Sequence, residues 1–188
     1  MNLKEILKNK IALQKKLILL EDKINKIIAL FTESIKKKGK ILICGNGGSA
    51  ADAQHLAAEF LIRLKPKSKR PAYPAISLAM DTSTLTACGN DLGFKKIFSR
   101  NLEALGGIND ILLVISTSGN SENILEVLKT AKIKKIKSVS FLGSGGGKAK
   151  KLCSYNLIVP SNHTARIQEC HIFLGHYIFE QVEYNLSK

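Results

Sequence analysis

Apolar residues recur at threes and fours through the first 38 positions: Leu3, Leu7, Leu13, Leu17, Leu20, Ile24, Ile27, Phe31 and Ile35. This spacing predicts a long amphipathic helix over 1–38, broken near Asn9 and ended by Gly39 in the favoured position past the last turn. A stripe of that length must be covered, either by the rest of the domain or by a second subunit. Beyond Gly39 short continuous apolar runs alternate with helical patterns. Runs at 41–44, 75–78, 110–115, 138–142 and 156–159 read as strands. Helices follow the first strand to about Arg63, occupy 94–105, follow the third strand to Ala131, and close the chain over 164–186. A basic, proline-bearing loop spans 65–74. Strands apolar on both faces, alternating with helices, define an α/β protein with a parallel sheet covered on both sides. No repeat or linker divides it, so a single domain is expected over 1–188.

Ligands of open parallel sheets bind beyond the carboxyl ends of the strands, and two loops of small polar residues stand there. Gly45-Asn46-Gly47-Gly48-Ser49-Ala50 matches the dinucleotide fingerprint, but the acidic residue expected about 20 positions on is missing. Asp81 lies 36 positions beyond Gly45. The loop therefore reads as a tight turn that lets some ligand approach the backbone closely. Ser116-Thr117-Ser118-Gly119-Asn120-Ser121 sets four hydroxyls between a buried strand and a helix start. Plain N-capping by Ser118 or Asn120 uses one such group; four, with free N–H groups and the helix dipole, suit an anion such as phosphate. Gly143-Ser-Gly-Gly-Gly-Lys148 fails the P-loop template, because Ala149 replaces the magnesium-binding Ser/Thr. It reads as a flexible loop.

His55 and Glu59, at i and i+4, share one helix face. Such a pair can hold a metal or set a base beside an acid, or simply form an exposed ion pair. On the last helix Gln168 and His176 stand eight apart, about 80° around the axis, at the edge of the stripe Ile167, Leu174, Ile178 and Val182.

Composition narrows the class. The 188 residues are 45% hydrophobic and 23% charged, enough apolar residue for a real core and too much for a disordered tail. No run approaches the roughly 18 apolar residues of a membrane span, and Met1–Lys10 lacks the apolar region of a secretory signal. The four cysteines, Cys44, Cys88, Cys153 and Cys170, are at least 17 positions apart. That is the pattern of reduced thiols in a cytoplasmic protein. The net charge of +14 invites a nucleic-acid reading, yet only four of 29 basic residues are Arg, the residue of bidentate base readout. Lysines fall on helical surfaces, 11 in residues 1–40 and eight in 129–151. A solvated lysine surface is expected, with no nucleic acid or membrane partner.

Taken together, ICGNGGSAADAQHLAAEF (43–60), CGNDLGF (88–94), ISTSGNSENI (115–124) and RIQECHIFLGH (166–176) closely resemble the bacterial phosphoheptose isomerases of the sugar-isomerase (SIS) domain family. The resemblance runs in order over essentially the whole chain. It implies a flavodoxin-like three-layer αβα sandwich with a five-stranded parallel sheet, residues 1–38 forming a helical extension at a subunit interface. It implies a homotetramer with active sites at subunit contacts. The implied reaction converts sedoheptulose 7-phosphate into D-glycero-D-manno-heptose 7-phosphate, the first step toward nucleotide-activated heptose for lipopolysaccharide, capsule or other surface glycans.

By the same resemblance Ser116, Thr117, Ser118 and Ser121 cradle the phosphate. Asn46, Gly47, Gly48 and Ser49 line the sugar chain, and Asn90 and Asp91 contact its hydroxyls. His55, Glu59, Gln168 and His176 match the positions of one zinc ion per subunit, Gln168 and Glu59 also facing substrate. Glu59 and His176 are the implied acid–base pair, and no nucleotide cofactor is implied. Two other readings share the fold: a tetrameric adaptor that binds the replication initiator without catalysis, and an isomerase or sensor for another sugar phosphate.

Overall fold

A computed structural model describes residues 2–188; Met1, the first residue of the expected helix and domain, lies outside them. The N-terminal segment forms two helices, α1 (Leu3–Lys16) and α2 (Glu21–Lys36), joined by a 3₁₀ turn over Leu17–Leu20. The break thus falls at Leu17-Ile-Leu-Leu20 and not near Asn9, which sits inside an unbroken α1. Gly39 is also not the residue that leaves the helix in the left-handed conformation. Lys38 does so, at φ 59°. Lys38 N–H donates to the Ile35 carbonyl and Gly39 N–H to that of Ser34, a Schellman closure with glycine one place further out. Glycine is needed there for space: a Cβ would collide with the Asn109 carbonyl.

Five strands follow, β1 (Ile41–Gly45), β2 (Ala75–Ser77), β3 (Ile111–Ser116), β4 (Lys137–Leu142) and β5 (Tyr155–Ile158), all parallel, in the order β2-β1-β3-β4-β5. This is the flavodoxin-like order, whose direction of winding reverses between β1 and β3. Between the strands run α3 (Gly48–Leu61), α4 (Thr82–Asp91), α5 (Ile97–Leu105), α6 (Glu122–Ile133) and, last, α7 (Thr164–Leu186). Successive side chains of a strand face opposite sides, and the core divides accordingly. Ile41, Ile43, Leu113 and Ile115 pack with α2, α3 and α7; Leu42, Cys44, Leu112 and Val114 pack with α4, α5 and α6. Helix α4 was not expected from the sequence. Asp81 caps it by accepting from the N–H groups of Ser83 and Thr84, a signal present in the chain but followed by no apolar stripe.

The loop expected to be flexible at 143–148 is instead closed by hydrogen bonds. Gly146 N–H donates to the Gly143 carbonyl, and Ser144 N–H to that of Ser161. All four cysteines are buried and unpaired, and burial pushes the Cys44 thiol up. Among the described residues no helix is long and apolar enough to cross a membrane.

His171 of α7 is fully buried, its ring 6.1 Å from that of Phe141, and neither nitrogen makes a well-formed hydrogen bond. Burial pushes its pKa down to about 4, the Leu142 carbonyl opposing weakly. The unfolded chain, with an ordinary imidazole near 6.5, takes up a proton between these values while the native state does not. Stability therefore falls as pH drops through that window. Urea unfolding at pH 7 and pH 5 should show wild type losing about 2 kcal/mol more than His171→Leu over that step.

Candidate active site

The β1 and β3 loops meet at the point where the winding reverses. Asn46, after β1, and Asn123, in the first turn of α6, exchange amide hydrogen bonds: each Nδ2 donates to the other's Oδ1, at 2.9 and 2.8 Å. This reciprocal pair clamps the glycine loop to the hydroxyl loop across 77 positions of sequence. Asn123 itself is buried.

The hydroxyl loop is held by its own side chains. Ser116 is buried and its Oγ accepts from Gly119 N–H; Ser118 Oγ accepts from Asn120 N–H. The residue that caps α6 is Ser121, not Ser118 or Asn120, and its side chain makes no capping bond. The first N–H groups of a 12-residue helix are therefore left to an outside acceptor. The 143–148 loop braces this turn from behind. Lys148 N–H donates to Asn120 Oδ1 and Ala149 N–H to the Gly119 carbonyl. A Cβ on Gly119 would strike Gly146, and one on Gly147 would strike Ser118. The run of glycines was the sequence signal for this brace.

A second group of side chains lies along α3 and α7, which run side by side in one direction. His55 Nε2 and His176 Nε2 stand 2.8 Å apart, one ring donating to the other, and Glu59 Oε1 is 3.6 Å from His55 Nε2. The two rings meet edge on. The His176 pKa is lowered, chiefly by burial and then by His55, against the pull of Glu59 and Glu180. A neutral imidazole results, able to accept or pass a proton. Asp52, one turn earlier on the same face, carries a buried and unpartnered Oδ2, and burial raises its pKa against the pull of His55.

Gln168 stands apart from this trio. Its Nε2 lies 2.6 Å from where a Cβ on Gly48 would be, at the start of α3. His55 is seven residues down that helix and His176 eight down α7, so about 10–12 Å separates them along the axes. Asn90 and Asp91 are exposed at the end of α4, where Asn90 Nδ2 donates to Asp91 Oδ1. Among the described residues no hydrogen bond joins their side chains to the two loops. Ser49 is buried in the first turn of α3, its N–H donating to the Asn46 carbonyl.

The donor set of His55, Glu59 and His176, two imidazoles and a carboxylate, is one that zinc takes. Among the described residues no such group is already gathered around a common centre; the two imidazole nitrogens face each other instead.

Such a sheet, with an anion-ready turn at the reversal and an imidazole–carboxylate group on the flanking helices, suits a protein that grips a sugar phosphate by one end and moves protons at the other. The SIS domain model matches residues 7–143, and the chain belongs to that family. Within it the chain is similar to phosphoheptose isomerases. One from Campylobacter jejuni is 51% identical over 88% of this chain and 88% of its own length. One from Helicobacter pylori is 48% identical over 96% and 93%. The solved phosphoheptose isomerase of Neisseria gonorrhoeae superposes with a TM-score of 0.88 at 38% identity, over 96% of both chains.

Gly48→Ala tests the Gln168 position. The new methyl meets only the end of a flexible amide, and alanine suits the helix, so stability should stay within about 1 kcal/mol of wild type. Displacement of Gln168 should lower turnover on the order of tenfold; unchanged kcat alongside unchanged stability would detach Gln168 from the reaction.

Proposed function

We infer that this chain is an aldose–ketose isomerase that converts sedoheptulose 7-phosphate into D-glycero-D-manno-heptose 7-phosphate, supplying heptose for surface glycans. Close identity to phosphoheptose isomerases over nearly the whole chain carries the reading, and the trio His55, Glu59 and His176 gives it a catalyst.

Phosphate binds at the hydroxyl turn, where Ser116, Thr117, Ser118 and Ser121 and the free N–H groups of α6 neutralise it. Asn46, Gly47, Gly48 and Ser49 follow the sugar chain; Asn90, Asp91 and Gln168 reach its hydroxyls once the site is complete. The reaction moves a carbonyl from C2 to C1. Glu59 removes the C1 proton and leaves a cis-enediol; the same carboxyl then returns a proton to C2, so that the ketose becomes an aldose with no net gain or loss. His176 carries protons between the two oxygens, a task for which a neutral imidazole is suited. Zinc held by His55, Glu59 and His176 would supply charge stabilisation to the enediolate oxygens. Gln168, two turns away, would join that centre only from a neighbouring subunit.

A homotetramer with sites at subunit contacts fits this placement. On α1, Leu3 and Ile11 are 71% and 54% exposed, and Ile18 and Leu19 of the following turn 69% and 84%. So long an apolar strip is covered in a working molecule. The expected location is the cytoplasm.

Incubation with sedoheptulose 7-phosphate, followed by NMR, should show the aldose product. Glu59→Gln should lower kcat by about 10²–10⁴-fold and leave binding of inorganic phosphate unchanged. Turnover at the wild-type rate in that variant would remove Glu59 as the base. Light scattering should give fourfold the 20.6 kDa chain mass, and Leu7→Glu/Ile11→Glu should reduce it. Metal analysis of the purified protein should find about one zinc per chain, lost in His55→Ala.

A further inference from the structure

Helix α3 ends at Leu61, so its last carbonyls have no partner within the helix. Ala58 finds one in Ile62 N–H; Glu59 and Phe60 do not, and the loop that leaves the helix returns to serve them. Tyr73 N–H donates to the Phe60 carbonyl at 3.3 Å. Arg70 donates to the Glu59 carbonyl from Nη2, at 2.9 Å. The same guanidinium donates from Nε to Glu183 Oε1 of α7 at 2.6 Å, and from Nη1 to the Pro71 carbonyl at 2.8 Å. It lies 4.6 Å over the ring of Tyr73. The Arg70 side chain is 4% exposed and that of Glu183 9%.

We propose that Arg70 is a positioning residue for the isomerisation: its guanidinium, fixed by Glu183, pins the last turn of α3 so that the Glu59 carboxylate stays in reach of the imidazoles. The inference rests on the assignment of Glu59 as base. The planar fork matters, because only a side chain with several fixed donors bridges a main-chain carbonyl on one catalytic helix and a carboxylate on the other. A lysine has one charged point and holds one of them. A pair that served stability alone could tie any two elements; this one joins α3 and α7 just beyond the imidazoles that meet across them, one turn past His55 and two turns past His176. Release of the Glu59 carbonyl lets the helix end fray, and a shift of about 1 Å at a catalytic carboxylate is felt in turnover.

Removing Arg70 alone strands a buried carboxylate and endangers the fold, whereas removing both charges does not. The decisive protein is therefore Arg70→Met/Glu183→Met, compared with wild type, Arg70→Lys and Glu59→Gln. Melting temperature, kcat and KM for sedoheptulose 7-phosphate are measured on each. The double variant should melt within a few degrees of wild type, hold its KM within about threefold, and lose kcat by about 10- to 100-fold. Recovery of kcat together with the melting temperature overturns the proposal and leaves the pair a structural one. If the double variant does not fold, Arg70→Lys decides: lowered kcat at wild-type KM supports the role, and wild-type kcat overturns it. Glu59→Gln separates the two claims. Full turnover there removes the base and the positioning role with it, while an inactive Glu59→Gln beside a fully active double variant removes Arg70 alone.

Discussion

Helices α3 and α7 lie on one face of the sheet, point the same way, and touch along their whole shared length. The grouping of His55, Glu59 and His176 depends on that contact. One tight point is Gly175, where a Cβ would come within 2.6 Å of Leu56. Below it the rings of Phe60 and Phe179 pack 4.6 Å apart, and Phe31 of α2 closes on Phe179 at 6.0 Å. Each of these fully buried side chains contributes about 1.5–3 kcal/mol by leaving water. The register that results is repeated in polar pairs: Gly48 with Gln168, His55 with His176, and Glu59 with Glu183 through Arg70. A slip of either helix by one turn would undo all of them together.

The anion end obeys a different constraint. At the winding reversal the loops after β1 and β3 separate, and they need a fastener that leaves the space between them free. The Asn46–Asn123 exchange supplies it with two neutral hydrogen bonds. Because the amides satisfy each other, the first N–H groups of α6 are not spent on holding the two loops together. The glycine brace at 143–148 supports the turn from behind, through one bond to the Gly119 carbonyl and one to the Asn120 side chain. In the proposed reaction, phosphate recognition would draw on the hydroxyl turn and the α6 N–H groups, and proton transfer on side chains of the two helices.

Much of this was legible beforehand. The five strands show as short apolar runs, and α7 occupies the span its stripe marks, because periodicity reports burial directly. Features decided by partners far along the chain were not. Leu17-Ile-Leu-Leu20 continues the apolar stripe, and only packing turns it into a 3₁₀ break. Helix α4 has too few apolar residues to declare itself. Asn123 and Arg70 look like ordinary polar residues until folding brings them to partners 77 and 113 positions away. The division of the predicted metal set, three groups together and Gln168 two turns off, follows from the helical rise and was already contained in the eight-residue spacing.

The central claim is that one bound ketose spans from the hydroxyl turn to the imidazole–carboxylate group. The direct measurement is a crystal structure of Glu59→Gln soaked with sedoheptulose 7-phosphate, read over every subunit of the assembly. The account predicts the phosphate against residues 116–121 and the α6 N–H groups, with C1 and C2 between the side chains at 59 and 176. Sugar carbons lying beyond hydrogen-bond reach of both side chains, while the phosphate fills that turn, would contradict it.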